Sequence, residues 1–80
     1  MITGLALTAV SLFPKAEVQR RILAFIRGAI ADTGEAPTVR EIAAGVGLRS
    51  PSTVKYHLGR LEEGGYLSHE PGRHRSIRLT

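Results

Sequence analysis

Two helix signals meet at Gly47-Leu48-Arg49-Ser50-Pro51, and no other stretch limits the folding of the chain so tightly. Upstream, Thr38 to Gly47 reads as a short helix. Thr38 and Glu41, three apart, form a capping box in which hydroxyl and carboxylate each satisfy an amide of the first turn. Ile42, Ala43 and Val46 make its buried edge, and Gly47 ends it. Downstream, Ser50 is suited to cap a second helix, and Pro51 falls at the first helical position, where its missing N–H is not needed. Only Leu48 and Arg49 separate the two. Helices joined so closely cannot lie antiparallel along their lengths, and they cross steeply, as in a helix-turn-helix. Ala43 and Ala44 are small enough to let the axes approach.

The second helix runs to Gly64-Gly65, where glycine can enter the left-handed cap without steric cost. Val54, Leu58 and Leu61 fall on one stripe at i, i+4 and i+7, the spacing that presses a helix onto a core. At about 100° per residue, Ser52, Tyr56, Gly59 and Glu63 point the other way, flanked by Thr53, Lys55 and Arg60. A merely solvated face favours strong helix formers such as Glu, Lys, Gln and Ala. Short hydroxyls, a phenol and a lysine suit base edges and phosphates instead, and a glycine at 59, which costs about 1 kcal/mol relative to alanine, makes sense where bulk would strike something. Taken alone, the helix reads equally well as an ordinary amphipathic surface element. Its neighbours decide between the two.

Before this pair, Pro14 opens a helix of about five turns in which Val18, Ile22, Phe25, Ile26, Ala29 and Ile30 recur at helical spacing until Thr33-Gly34. Arg20, Arg21 and Arg27 occupy its outward side, where solvated surface is the favoured reading ahead of a reach by one of them to a DNA phosphate. Glu35-Ala36-Pro37 is an extended link, because the residue before proline is pushed out of the helical region. After Gly65 the period changes to two. Tyr66 to Glu70 and Ser76 to Leu79 read as strands joined by Pro71-Gly72-Arg73-His74-Arg75, with Pro-Gly suited to the centre of a type II turn. A hairpin directly after such a helix is a wing, and Arg73, His74 and Arg75 fall at its tip, placed for phosphates or a narrow minor groove. The fold expected over residues 15–80 is mainly α (α+β): three helices followed by a β-hairpin wing.

Charge points the same way. From Arg49 onward there are six basic residues against three acidic, and before it five against four, so the half carrying the second helix and the wing is the more basic. No cysteine is present, which removes disulfides, thiolate metal sites and cysteine nucleophiles and makes a reducing cytoplasm the expected compartment. His57, His69 and His74 show no metal-ligand spacing, and neither Ser50 nor Ser52 has an evident base. No enzyme, metal or cofactor is expected. Residues 1–14 form an apolar N-terminal extension. It lacks the basic start of a secretory signal and is far shorter than the ~20 residues of a membrane span. An extra packing element is the reading favoured for it, ahead of a dimerisation arm or a disordered end.

Gly34-Glu35-Ala36-Pro37-Thr38, Glu41-Ile42-Ala43, Gly47-Leu48-Arg49-Ser50-Pro51, His57-Leu58, Leu61-Glu62 with Gly65, and Gly72 with Arg75-Ser76-Ile77-Arg78-Leu79 together resemble the N-terminal DNA-binding domain of the LexA family of SOS-response repressors. The match runs in unbroken order from about Glu17 to Leu79. It implies a winged helix-turn-helix that represses transcription by occupying palindromic operators of double-stranded DNA as a dimer. Position by position, it implies that Ser50, Ser52, Thr53, Lys55 and Tyr56 lie at the DNA face, with Arg73, His74 and Arg75 near the backbone. Combined with the reading of the residues, Ser52 and Tyr56 are expected to read bases and Thr53 and Lys55 to contact bases or backbone. Arg49, Arg73 and Arg75 are expected to hold phosphates, and Arg60 to lie at the same face. The family varies at the positions of Lys55 and Tyr56, so no operator sequence is implied. LexA proteins continue into a dimerising, self-cleaving domain with a serine and lysine pair, which these residues do not include. An excised domain or a free-standing regulator both fit, the latter with the residues before Pro14 replacing the dimer contact. The alternative function is a winged-helix protein-interaction module that does not bind DNA.

Overall fold

The computed structural model of the chain describes residues 14–70, 73 and 75–80. The apolar segment of residues 1–13, and with it the expected role of the N-terminal extension, lies outside the described residues. So do Pro71, Gly72 and His74 of the wing.

Three helices pack around one core, in the order α1 (Lys15–Thr33), α2 (Val39–Val46) and α3 (Pro51–Glu63), followed by β1 (Leu67–Ser68) and β2 (Arg78–Leu79). Helix α1 buries Val18, Ile22, Leu23 and Ile26, while Phe25 and Ile30 are only partly covered. It ends at Gly34, whose φ of 80° and bond to the Ile30 carbonyl form a left-handed cap. Helix α2 carries the full capping box, with Glu41 N donating to Thr38 Oγ1 at 3.1 Å and Thr38 N donating to Glu41 Oε1 at 2.9 Å. At its other end Gly47 is left-handed (φ 81°), and the amides of Gly47 and Leu48 both donate to Ala43 O. That closure turns the chain within two residues into the Ser50 cap of α3, where Ser50 Oγ accepts from Ser52 N at 3.0 Å.

Val54, His57, Leu58 and Leu61 are the buried stripe of α3. Burying a leucine or valine side chain stabilises by about 1.5–3 kcal/mol, so this stripe fixes which side of α3 faces out. The left-handed residue after α3 is Gly65 (φ 82°) rather than Gly64, which keeps a right-handed conformation. Tyr66 N donates to Leu61 O and Gly65 N to Glu62 O, the paired bonds of a helix-ending motif whose left-handed position is Gly65. The expected approach of Ala44 to its neighbours is not found, for Ala44 is exposed and Ala43 alone is buried. The small residue at the close approach is Gly45, against whose Cα the Phe25 ring of α1 packs so closely that an added Cβ would force the ring to shift.

The two strands pair antiparallel, with Leu67 opposite Leu79 and Ser68 opposite Arg78. They are shorter than the alternation predicts, for a visible reason. Ser76 Oγ donates to Glu70 O and accepts from Glu70 N, both at 3.0 Å, so a side-chain hydroxyl replaces the backbone ladder at that point. Leu67 and Ile77 anchor the hairpin in the core. Arg73 N donates to Glu70 O at 3.1 Å across the turn. The type II geometry expected there depends on Pro71 and Gly72, outside the described residues.

Candidate nucleic-acid interface

With the buried stripe of α3 pressed inward, Ser52, Thr53, Lys55, Tyr56 and Arg60 are all exposed, as is Arg49 just ahead of the cap. Arg49 and Lys55 have no partner among the described residues, and Arg60 has only Glu63, at 3.7 Å on an exposed flank. Ser50 is half-buried and its oxygen accepts the cap bond from Ser52 N, which leaves its hydroxyl proton and one lone pair for an outside partner. A Cβ at Gly59 would meet nothing within 4 Å. No packing within the described chain requires glycine there.

Tyr56 is held rather than loose. It is 45% exposed, yet its phenol accepts from Lys15 Nζ at 3.2 Å, and the same ammonium lies 5.1 Å from the ring centroid. The ring meets His57 edge-on, with centroids 5.1 Å apart at 71°. His57 is itself buried, with Nδ1 3.2 Å from Gln19 Nε2. Burial first, and the charge of Lys15 second, hold its imidazole below the ordinary value, so the neutral ring is favoured. Lys15 thus joins α1 to the exposed face of α3, a placement no periodicity in the sequence foretold.

Both described wing-tip arginines hold partners within the chain. Arg73 pairs with Glu70 at 3.0 Å on the surface. Arg75 adopts a left-handed φ of 53° and folds back onto α2. Its Nη1 and Nη2 donate to Glu41 Oε1 and Oε2, each at 3.1 Å, and Nη1 also donates to Ala36 O at 2.9 Å. Planar guanidinium matches carboxylate in this two-bonded geometry, which lysine cannot reproduce. The Glu41 carboxyl is held below its ordinary range, first by the Arg75 hydrogen bond and then by the Thr38 amide. Arg75 therefore ties the wing to the capping box of α2 through three hydrogen bonds within the chain. His74 lies outside the described residues. Among the described residues no group of His, Asp or Glu side chains could hold a metal ion, and no helix is long and apolar enough to cross a membrane.

Three helices, with α2 and α3 joined by a short turn, and an antiparallel wing define the winged helix-turn-helix class. Within that class, the family model described as the LexA DNA binding domain matches residues 14–76. The chain belongs to this family. It is 46% identical over 62 residues to the LexA repressor of Carboxydothermus hydrogenoformans, covering 78% of this chain and 30% of that protein. To the LexA repressor of Clostridium acetobutylicum it is 49% identical over 63 residues, covering 79% of this chain and 31% of that protein. The LexA repressor of Bacillus mycoides is 48% identical over 61 residues, which are 76% and 30% of the two chains. The chain thus spans about a third of the length of the curated relatives it matches.

Proposed function

We propose that this chain is the sequence-specific, double-stranded-DNA-binding part of a LexA-like transcriptional repressor. Helix α3 enters the major groove, whose width admits an α-helix and whose base edges present a distinct donor and acceptor pattern for each pair. Ser52 and Tyr56 read base edges, Thr53 and Lys55 reach bases or backbone, and Arg49 holds a phosphate. Arg60 extends the same face, and Arg73 lies against the backbone beside the wing. Arg75 acts by fixing the wing. The reading includes a palindromic operator occupied by two copies of the chain, each with its own α3 in one half-site, and action in the cytoplasm rather than as an enzyme.

The observation that carries this reading is the pairing pattern on α3. Lys55 and Arg49 have no counter-charge among the described residues, beside exposed hydroxyls and a phenol, on a helix whose other side is locked in the core. Selection of bound duplexes from a random pool tests it. The expected product is one recurring sequence with two mirrored half-sites. A pool without enrichment, or no duplex retained at physiological salt while a protein partner is captured, would mean that the domain serves protein recognition instead.

A further inference from the structure

A groove of about 340 Å³ opens between the first turn of α2, the exposed side of α3 and the base of the wing. Cations from three separate elements line it, namely Arg40 of α2, Lys55 of α3 and Arg73 of the wing, and no carboxylate lines it among the described residues. Arg40 and Lys55 have no partner among the described residues, and Arg73 shares its charge with Glu70 alone. Convergence of like charges raises the energy of the free protein, and the positive end of the α2 dipole adds to the same potential. An anion placed there relieves both. The fourth cation at the groove, Arg75, is neutralised by Glu41, and its bonds to Glu41 and Ala36 hold the wing at a fixed distance from α2. The groove is therefore built with two fixed walls.

Lys55 belongs both to this groove and to the exposed face of α3, so whatever fills the groove is continuous with whatever α3 contacts. We propose that the groove seats one phosphate of the DNA backbone, outside the base-reading face of α3, and that Arg40 is the side chain that holds it. The inference rests on the DNA-binding reading above and adds to it a contact on α2 that neither the resemblance nor the periodicity assigned. Arg75 is a positioning residue of this seat.

The test compares the chain with its Arg40→Ala and Arg27→Ala variants on the duplex obtained by selection and on a scrambled duplex, between about 50 and 200 mM salt. Arg27 is exposed on α1, has no partner among the described residues and does not line the groove, so its removal reports the loss of charge alone. Arg40→Ala is expected to weaken both duplexes by the same factor. It should also lower the salt slope by about 0.9, so that its deficit is about 3.5-fold larger at the lower salt than at the higher. Arg27→Ala should leave the slope unchanged. A methylphosphonate scan of the duplex should find one position whose neutralisation weakens the unaltered chain and not Arg40→Ala. An Arg40→Ala slope equal to that of the unaltered chain, or matched by Arg27→Ala, overturns the seat while leaving the base-reading face of α3 intact. Saturable protection by inorganic phosphate without any change in the DNA slope overturns it in favour of a free-anion site. If the unaltered chain retains no duplex, the DNA-binding reading fails first and the seat with it.

Discussion

The cations of α3 and those of the wing carry the same charge and are used differently. Around the first turns of α3, Arg49 and Lys55 have no carboxylate partner among the described residues, whereas in the wing Arg73 lies 3.0 Å from Glu70 and Arg75 makes two bonds to Glu41. The reason lies in how each element is held. Helix α3 is fixed by four buried side chains, so its outer face owes nothing to the charges on it. The wing has two-residue strands and reaches the core through Leu67 and Ile77, and a two-stranded hairpin of that size is marginal without further support. Arg75 supplies that support. A count of basic residues therefore does not by itself say which of them face a phosphate, because Arg75 also builds the scaffold.

The largest effect expected is on stability. Leu58→Ala should cost about 2–5 kcal/mol in urea unfolding, since Leu58 is fully buried beneath α3. Leu79→Ala, in the half-buried second strand, should cost visibly less, and equal losses would break the contrast between a core-held helix and a side-chain-held wing. Next, Tyr56→Ala should reduce discrimination between the selected and scrambled duplexes by what one mismatched base pair costs, about 1–3 kcal/mol. Arg75→Ala should leave that ratio unchanged while weakening both. Gly59→Ala should act in opposite directions on folding and binding. The helix gains up to about 1 kcal/mol, because the added methyl meets nothing in the described chain, while duplex affinity falls.

The smallest effects are those of pH. The lowered pKa of Glu41 means that its contribution is complete above the ordinary carboxylate value of 4.5 and is lost as pH falls through the depressed folded value. The stability difference between the chain and Arg75→Gln should therefore be full at neutral pH and shrink on acidification. His57 is depressed in the same sense, so its contribution is complete above 6.5 and declines below it. His57→Leu should flatten that part of the profile, as followed by thermal unfolding between pH 7 and pH 5.

Much of this was legible because helix ends are local. Thr38 with Glu41, Ser50 with Pro51, and Gly34 with Gly47 announce their roles within a few residues, and the structure places the caps there. What was not legible depends on distant partners. Glu41 has a complete role in its own turn, and nothing in the sequence signals a second role with a residue 34 positions away. Lys15 and Tyr56 are 41 apart, and the packing of Gly45 on Phe25 needs the crossing of two helices. The wing strands came out short because the alternation of side chains cannot show that the Ser76 hydroxyl takes over the backbone bonds of Glu70.

The most direct measurement is an amide NMR titration of the chain with the selected duplex. The account predicts the largest shifts at Ser52, Thr53, Lys55 and Tyr56, followed by Arg40 and Arg73, with residues 20–27 of α1 nearly unmoved. Retention of the duplex with α3 unperturbed, or with the shifts confined to α1, would contradict it.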